Sequence, residues 1–303
     1  MRRLFTGCLV ALLLILNTLV LIGPLLVFAL LKLVFSGYMR DYFSAGVMWI
    51  AETWAQIDKA IFALCIPTQW DIRGAEGLRT DTSYLVVCNH QSWVDIPALI
   101  QALNRRAPFF KFFLKKELIW VPLLGLAWWA LDYPFMKRYS KAFLQRHPEL
   151  RGHDLEITRE ACELFKRQPV TVVNYLEGTR MSAAKREAQA SPFDHLLVPK
   201  AGGVAFVLAA MGEQLDRLLD VTVVYPCNGL SPDGPGERIP GFWDLCCGRV
   251  PKVIIDIQSR GIDPALWQGD YENDPVFRLQ VQGWVNDMWR EKDRRIAQLK
   301  AGG

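Results

Sequence analysis

Long apolar stretches fill the first 66 residues, and beyond them short apolar runs of strand length alternate with helical patterns. From Cys8 to Phe35 only Lys32 is charged, and a run of about 18 apolar residues already suffices to cross a bilayer. A signal peptide would have a shorter apolar core ending in small residues, and no Ala-x-Ala follows here. The run therefore reads as a retained anchor. Gly23-Pro24 is expected to break it into two short helices, since proline removes a backbone bond and clashes with the preceding turn. Tyr42 to Ile66 is again apolar, with Trp49 and Trp54, but carries Glu52, Asp58 and Lys59. It reads either as a flawed second crossing or as a helix lying in the interface. Arg2 and Arg3 favour a cytoplasmic N-terminus, whereas Lys32, Arg40 and Lys59 put positive charge at the far side as well. The favoured arrangement is a hairpin, or an anchor plus an interfacial helix, keeping both ends on one side.

After residue 66 the pattern changes. Gln69 to Gly74 alternates as an edge strand does, and Tyr84 to Cys88 suits a strand buried on both faces. Ile96 to Leu103 is helical in pattern, Phe109 to Leu114 is a strand interrupted by Lys111, and Lys115-Lys116-Glu117 opens another helix. Trp120 to Trp129 is apolar enough to be either a core helix or the wall of a lipid groove. Asp154 to Phe165 reads as a surface helix, Val170 to Tyr175 as a second buried strand, and Met181 to Asp194 as a polar, mobile loop. Val204 to Met211, Val221 to Pro226 and Val253 to Ile257 follow as helix, strand and strand, with a Gly- and Pro-rich loop from Asn228 to Gly241. Asp274 to Leu299 is a long helix whose Phe277, Val281, Trp284, Val285, Met288 and Trp289 share one face. Strands alternating with helices predict an α/β fold: a mostly parallel central sheet flanked by helices, behind an N-terminal membrane-anchoring helical segment. The expected domains are the anchor, residues 1–66, and a catalytic domain, residues 67–303.

Composition adds little to this. A chain of 303 residues, 51% of them apolar, buries a sizeable core. The net charge of +4 suits an anionic membrane surface or anionic substrates better than it argues for nucleic acid. Seven cysteines, odd in number and without paired metal-ligand spacing, point to a reducing compartment and to no metal, with Cys246-Cys247 as two buried thiols.

The chemistry concentrates where the strand Tyr84–Cys88 ends. Asn89 and His90 stop it abruptly, and Asp95 lies five residues beyond His90. On one continuous helix these two side chains would point about 140° apart. With His90 in a turn and Asp95 in the first turn of the next helix, the carboxylate folds back to the imidazole, and it also suits the helix dipole. Holding one ring nitrogen leaves the other free to take a proton from a hydroxyl. A plain surface contact between the two fits the same spacing. Three further stretches fall where loops leave strands, the usual place for ligands in α/β sheets. They are Phe135-Met136-Lys137-Arg138, Leu176-Glu177-Gly178-Thr179-Arg180 and Val221 to Pro226. Arg138 and Arg180 are forked donors that match a phosphate, or else solvated surface groups. Glu177 either orients Arg180, contacts a ligand or is an exposed turn carboxylate. Gly178 permits a left-handed turn or close ligand approach. Lys115, Lys116 and Lys200 are weaker candidates for added positive charge.

In order and spacing these stretches resemble the four motifs of the glycerolipid acyltransferases, the family that includes 1-acylglycerol-3-phosphate acyltransferase. Asn89 to Asp95 resembles the first motif, and Phe135-Met136-Lys137-Arg138 resembles the second, whose Arg binds the acceptor. Glu177-Gly178-Thr179-Arg180 resembles the third and Val221 to Pro226 the fourth. Leu176 stands where the family usually has Pro, and Tyr175 where it has Phe, which bears on acceptor choice more than on chemistry. The resemblance implies transfer of a fatty acyl group from acyl-CoA or acyl carrier protein to the free hydroxyl of 1-acylglycerol-3-phosphate or a related lysophospholipid. His90 would be the general base with Asp95 behind it. Arg138, Arg180 and Lys115 would bind the phosphate, and Glu177, Gly178 and Thr179 would form an acceptor loop. No cofactor or metal is implied, and no nucleic acid. The expected location is the cytoplasmic (inner) membrane, with the catalytic domain facing the cytoplasm. Alternatives are a remodelling enzyme for another lysolipid, a lipid serine hydrolase using Ser92 or another serine, and a non-catalytic membrane scaffold. The hydrolase lacks any Gly-x-Ser-x-Gly elbow in this chain.

Overall fold

Branched and aromatic residues with alternate positions buried on opposite faces build the centre of the molecule. A computed structural model of the protein describes residues 1–136, 146, 153–226 and 239–302. Its main sheet contains β1 (Gln69–Arg73), β2 (Ser83–Cys88), β3 (Phe110–Phe112), β6 (Thr171–Tyr175), β7 (Leu215–Val224) and β8 (Lys252–Arg260). Their spatial order is β1-β8-β7-β2-β6-β3. Neighbours run parallel except β7 and β8, which are antiparallel. The expected mostly parallel α/β sheet is therefore present. β7 starts earlier than the sequence pattern indicated, because Leu215, Leu218 and Leu219 are buried with the rest of the strand.

In β2, Val86 and Cys88 face one apolar layer, Leu85 and Val87 the other. The first layer is covered by α3 (Asp95–Leu103), by the short α8 (Phe242–Cys246) and by two long N-terminal helices, α1 (Arg2–Val34) and α2 (Gly37–Cys65). The second is covered by α5 (His153–Phe165), α7 (Gly202–Met211) and α9 (Pro275–Ala301). Phe277, Val281, Val285, Met288 and Trp289 of α9 are buried there, and Asp274 caps the helix by accepting from the Val276 and Phe277 amides.

Two expectations are corrected at the N-terminus and in the mid-chain loop. Gly23-Pro24 does not divide the apolar run; α1 continues through Pro24. Packing on both sides of the proline holds it continuous: Asn17 donates to Asp58 Oδ1 (2.8 Å) and to the Trp54 carbonyl, while Phe28 covers Gly46. A Cβ at Gly46 would lie 2.3 Å from that ring. Two polar residues of α2 face protein: Asp58 meets Asn17, and Lys59 donates to the Gln101 carbonyl at the end of α3. α1 and α2 thus form an antiparallel hairpin. Second, Met181 to Asp194 is not wholly loop, because Ser182 accepts from the Lys185 amide and caps α6 (Ala183–Ala188).

The Phe109–Leu114 run divides. β3 joins the sheet edge, whereas β4 (Leu114–Lys115) pairs with β5 (Phe135–Met136) in a separate ribbon. Between them a 3-10 turn, Lys116–Trp120, leads to α4 (Leu124–Ala130). Gly125 and Ala130 of α4 are buried, but Trp120, Leu126 and Trp129 project outward. The stretch therefore divides between core and an exposed apolar wall.

Candidate active site

At the end of β2 the side chain of Asn89 continues the ladder: it donates to the Val223 carbonyl and accepts from the Val223 amide, both at 2.9 Å. That anchors the turn in which His90 sits. Asp95 begins α3, is fully buried, and gathers the turn around one oxygen. Its Oδ2 accepts from His90 Nδ1 at 2.8 Å and from the amides of Gln91 and Ser92 at 2.8 and 2.9 Å. Its Oδ1 accepts from the Tyr225 hydroxyl, at the end of β7. A carboxylate only accepts, so the proton of the imidazole lies on Nδ1 and Nε2 keeps its lone pair. The His90 side chain is 18% exposed, which leaves that lone pair reachable. The ring stacks on Tyr175, with centroids 4.1 Å apart, and Tyr175 stacks in turn on Phe112. The Tyr175 hydroxyl is buried without a hydrogen-bond partner among the described residues, and burial holds its pKa well above the ordinary range.

Glu177 differs from the expectation of a side chain that meets a ligand. Its carboxylate is fully buried, accepting from the His90 amide at 2.8 Å and from the Leu197 amide at 3.1 Å. Burial pushes its pKa up to about 7 against those two bonds. The Met181 amide donates to the His90 carbonyl at 2.7 Å, so the peptide groups of His90 are clasped by the loop that follows β6. Gly178 makes that loop possible at φ +66°, with its amide returning to the Tyr175 carbonyl. The Thr179 hydroxyl and the Arg180 carbonyl both accept from Lys185 Nζ, at 2.7 and 2.9 Å. The Arg180 guanidinium is exposed and lies over the Trp93 ring, 4.7 Å from its centroid.

Lys115 is exposed on β4, in register with Met136. Arg138, two residues further along, lies outside the described residues. Lys116 and Lys200 are exposed. The Ser92 hydroxyl is buried between the Pro240 carbonyl and the Val94 amide, a poor position for a nucleophile. His90, Asp95, Glu177 and Arg180 are thus drawn together, with Tyr225, Asn89, Trp93 and Lys185 as partners to which the sequence assigned no role, and with Tyr175, noted there only as a departure from the family's Phe. Tyr225 could have been marked by its place just before Pro226 at a strand end. Lys185 lies within six residues of its partners, whereas the contacts of Asn89, Trp93 and Tyr175 join segments far apart in the chain.

A family model described as Acyltransferase matches residues 69–228, more than half of the chain. The chain belongs to the Acyltransferase family. Among its curated relatives, a 2-acyl-1-lysophosphatidylinositol acyltransferase of Saccharomyces cerevisiae is 25% identical over 255 residues, 72% of this chain and 62% of the relative. Lysocardiolipin acyltransferase 1 of Danio rerio is 25% identical over 259 residues, 82% of this chain and 60% of the relative. The chain therefore spans about three fifths of the length of these two relatives. The same fold occurs in the crystal structure of the 1-acyl-sn-glycerophosphate (LPA) acyltransferase PlsC from Thermotoga maritima. That chain is 21% identical, with a TM-score of 0.52 over 95% of this chain and 98% of the other.

Proposed function

We propose that this acyltransferase moves a fatty acyl group from acyl-CoA, or from acyl carrier protein, to the free hydroxyl of 1-acylglycerol-3-phosphate or a related lysophospholipid. The observation that carries the reading is the His90–Asp95 pair, whose carboxylate commits the imidazole to one tautomer and leaves Nε2 able to accept. As the acceptor oxygen bonds to the thioester carbonyl carbon, its proton passes to His90 Nε2. The tetrahedral oxyanion then collapses, the carbon–sulfur bond breaks, and the imidazolium returns the proton to the departing thiolate. Asp95 stays ionised and stabilises the imidazolium. Arg180, with Arg138 and Lys115, holds the acceptor's phosphate so that its hydroxyl arrives beside the base. The activated acyl group comes with the donor, so no bound cofactor enters the reading. A second reading, remodelling of another lysolipid, is favoured by the relatives named for lysophosphatidylinositol and lysocardiolipin.

The hairpin gives this chemistry its membrane. α1 is long and apolar enough to cross a bilayer, yet both of its ends pack on the catalytic body. A Cβ at Gly7 would lie 2.6 Å from Cys247 Sγ, and Lys32 donates to the Ala130 carbonyl and to Asp132. These contacts lie 25 residues apart along the helix, about 37 Å of rise. A helix held along the body for that length sits in one leaflet with its outer face in lipid. We place the domain on the cytoplasmic side of the inner membrane, where acyl-CoA and acyl carrier protein are available.

The test is a panel of lysolipids offered to the purified protein with labelled acyl-CoA, products being identified by mass. His90→Ala is expected to abolish transfer while vesicle association persists. Turnover retained in that variant would remove His90 as the base.

A further inference from the structure

The open edge of the sheet, beyond β3, carries a cleft that the proposed reaction does not use. It is lined by Lys32, Arg40, Lys111 and Arg167 together with Asp41 and Asp132, and its cavity volume is about 50 Å³, opening to solvent. Four cations against two carboxylates leave two positive charges in excess. The cleft lies at the end where β6 begins, next to Val170, whereas Tyr175 and His90 lie at the other end. At about 3.3 Å per residue the two ends are roughly 16 Å apart along the strand.

Lys111 is the telling residue. Phe110 and Phe112 face one apolar layer, so Lys111 points to the other side, its ammonium 4.9 Å from the Phe165 ring centroid. It has no hydrogen-bonded or ion-paired acceptor among the described residues. Burial pushes its pKa down to about 8, partly countered by Asp132 and reinforced by Lys32. Lys32 itself is satisfied by Asp132 and the Ala130 carbonyl. Half-buried and with no acceptor bonded to it, this cation is stabilised by an anion that enters beside it, and it lines a cleft with two guanidinium forks. Beside it is the elbow of the hairpin, where Leu33, Val34, Phe35, Tyr38 and Met39 are exposed.

We infer that this cleft binds the phosphate of an anionic membrane phospholipid, with the acyl chains lying against the exposed apolar elbow. A phosphodiester supplies the missing anion, matches the arginine forks, and carries the apolar chains that the elbow faces. Free phosphate shares the first two properties and lacks the third. The inference rests on the hairpin being seated in a bilayer. It makes the cleft a headgroup site distinct from the acceptor's, one that fixes the hairpin's depth and sets a preference for anionic membranes.

The experiment measures binding of the full chain to phosphatidylcholine vesicles with and without phosphatidylglycerol. Wild type is expected to prefer the anionic vesicles. Lys111→Met and Arg40→Gln should each lose about fivefold of that preference, the scale of one basic residue at an anionic surface. Binding to phosphatidylcholine alone, and acyl transfer in detergent, should stay unchanged. Arg294→Gln, the same change of charge on exposed α9, should lose much less. Equal losses in all three variants would reduce the effect to net charge and overturn the site. Phosphatidylcholine binding without an anionic preference would overturn the site alone, whereas no binding to either vesicle would sink the membrane seat and the site with it. Inorganic phosphate should leave the unfolding midpoint unchanged; a rise that Lys111→Met removes, without a vesicle preference, would assign the cleft to free phosphate instead.

Discussion

Asp95 accepts from an imidazole, two amides and a phenol while fully buried, and that concentration of donors explains why His90 is held in a single orientation. An Asn at this position offers one acceptor oxygen and turns an amide group towards donors. Asp95→Asn is expected to lower kcat by about 10²–10⁴-fold, as loss of the correct tautomer does, with acceptor KM little altered in steady-state assays. Arg180→Lys keeps the charge but loses the planar fork over Trp93, so acceptor KM should rise about tenfold while kcat is nearly preserved. A normal acceptor dependence would take Arg180 out of the phosphate site. Glu177 carries a pH signature. An acid whose pKa is raised on folding, here from 4.5 to about 7, binds protons more tightly in the folded chain. Its contribution to stability is therefore full below about 4.5 and is lost as pH rises towards 7. Unfolding midpoints of the wild type should fall across that window, and those of Glu177→Gln should fall less. The sequence exposed His90 and Asp95 because their spacing is local. It left Glu177 ambiguous because both amides that bury it, His90 and Leu197, are remote in the chain.

Among the elements, the loop from β6 to α6 has the largest part in the site. It turns on Gly178 at φ +66°, a conformation that costs an L-residue about 1–2 kcal/mol. Gly178→Ala should lower stability by about that amount in urea titrations and reduce kcat as well, since Glu177 and Met181 on either side clasp His90. Unchanged kcat would mean that the clasp is not needed for turnover. The strands were legible from apolar runs, but β4 and β5 were not, because two-residue pairings leave no periodicity to read. The short helix α6 was hidden in a polar segment, where only the Ser182 cap marks its start.

For the whole molecule, the proposed seat of the hairpin in a bilayer is tested on the exposed face of α1. Leu16 and Leu19 of α1 are half exposed and face away from the body. Changing both to Glu should weaken vesicle binding by tenfold or more, since a carboxylate in the bilayer core costs on the order of 2.5 kcal/mol. Activity on detergent-dispersed substrate should persist, and its loss would show that the hairpin also shapes the site. Pro24 argued for a broken anchor, and the packing of Asn17 and Phe28 against Asp58 and Gly46 of α2 overrode it.

By itself the sequence determined what depends on near neighbours: the apolar character of the first 66 residues, the strand beneath His90, the spacing that returns Asp95 to it, and the glycine that turns the loop after β6. The tertiary structure alone decided which remote groups complete these pieces. Tyr225 on Asp95, Glu177 beneath His90, Arg180 over Trp93 and Lys32 on Asp132 all join segments far apart in the chain. Periodicity and spacing record the geometry of a single segment, whereas these contacts follow from strand order and helix packing, which become fixed only when the apolar layers close on both faces of the sheet.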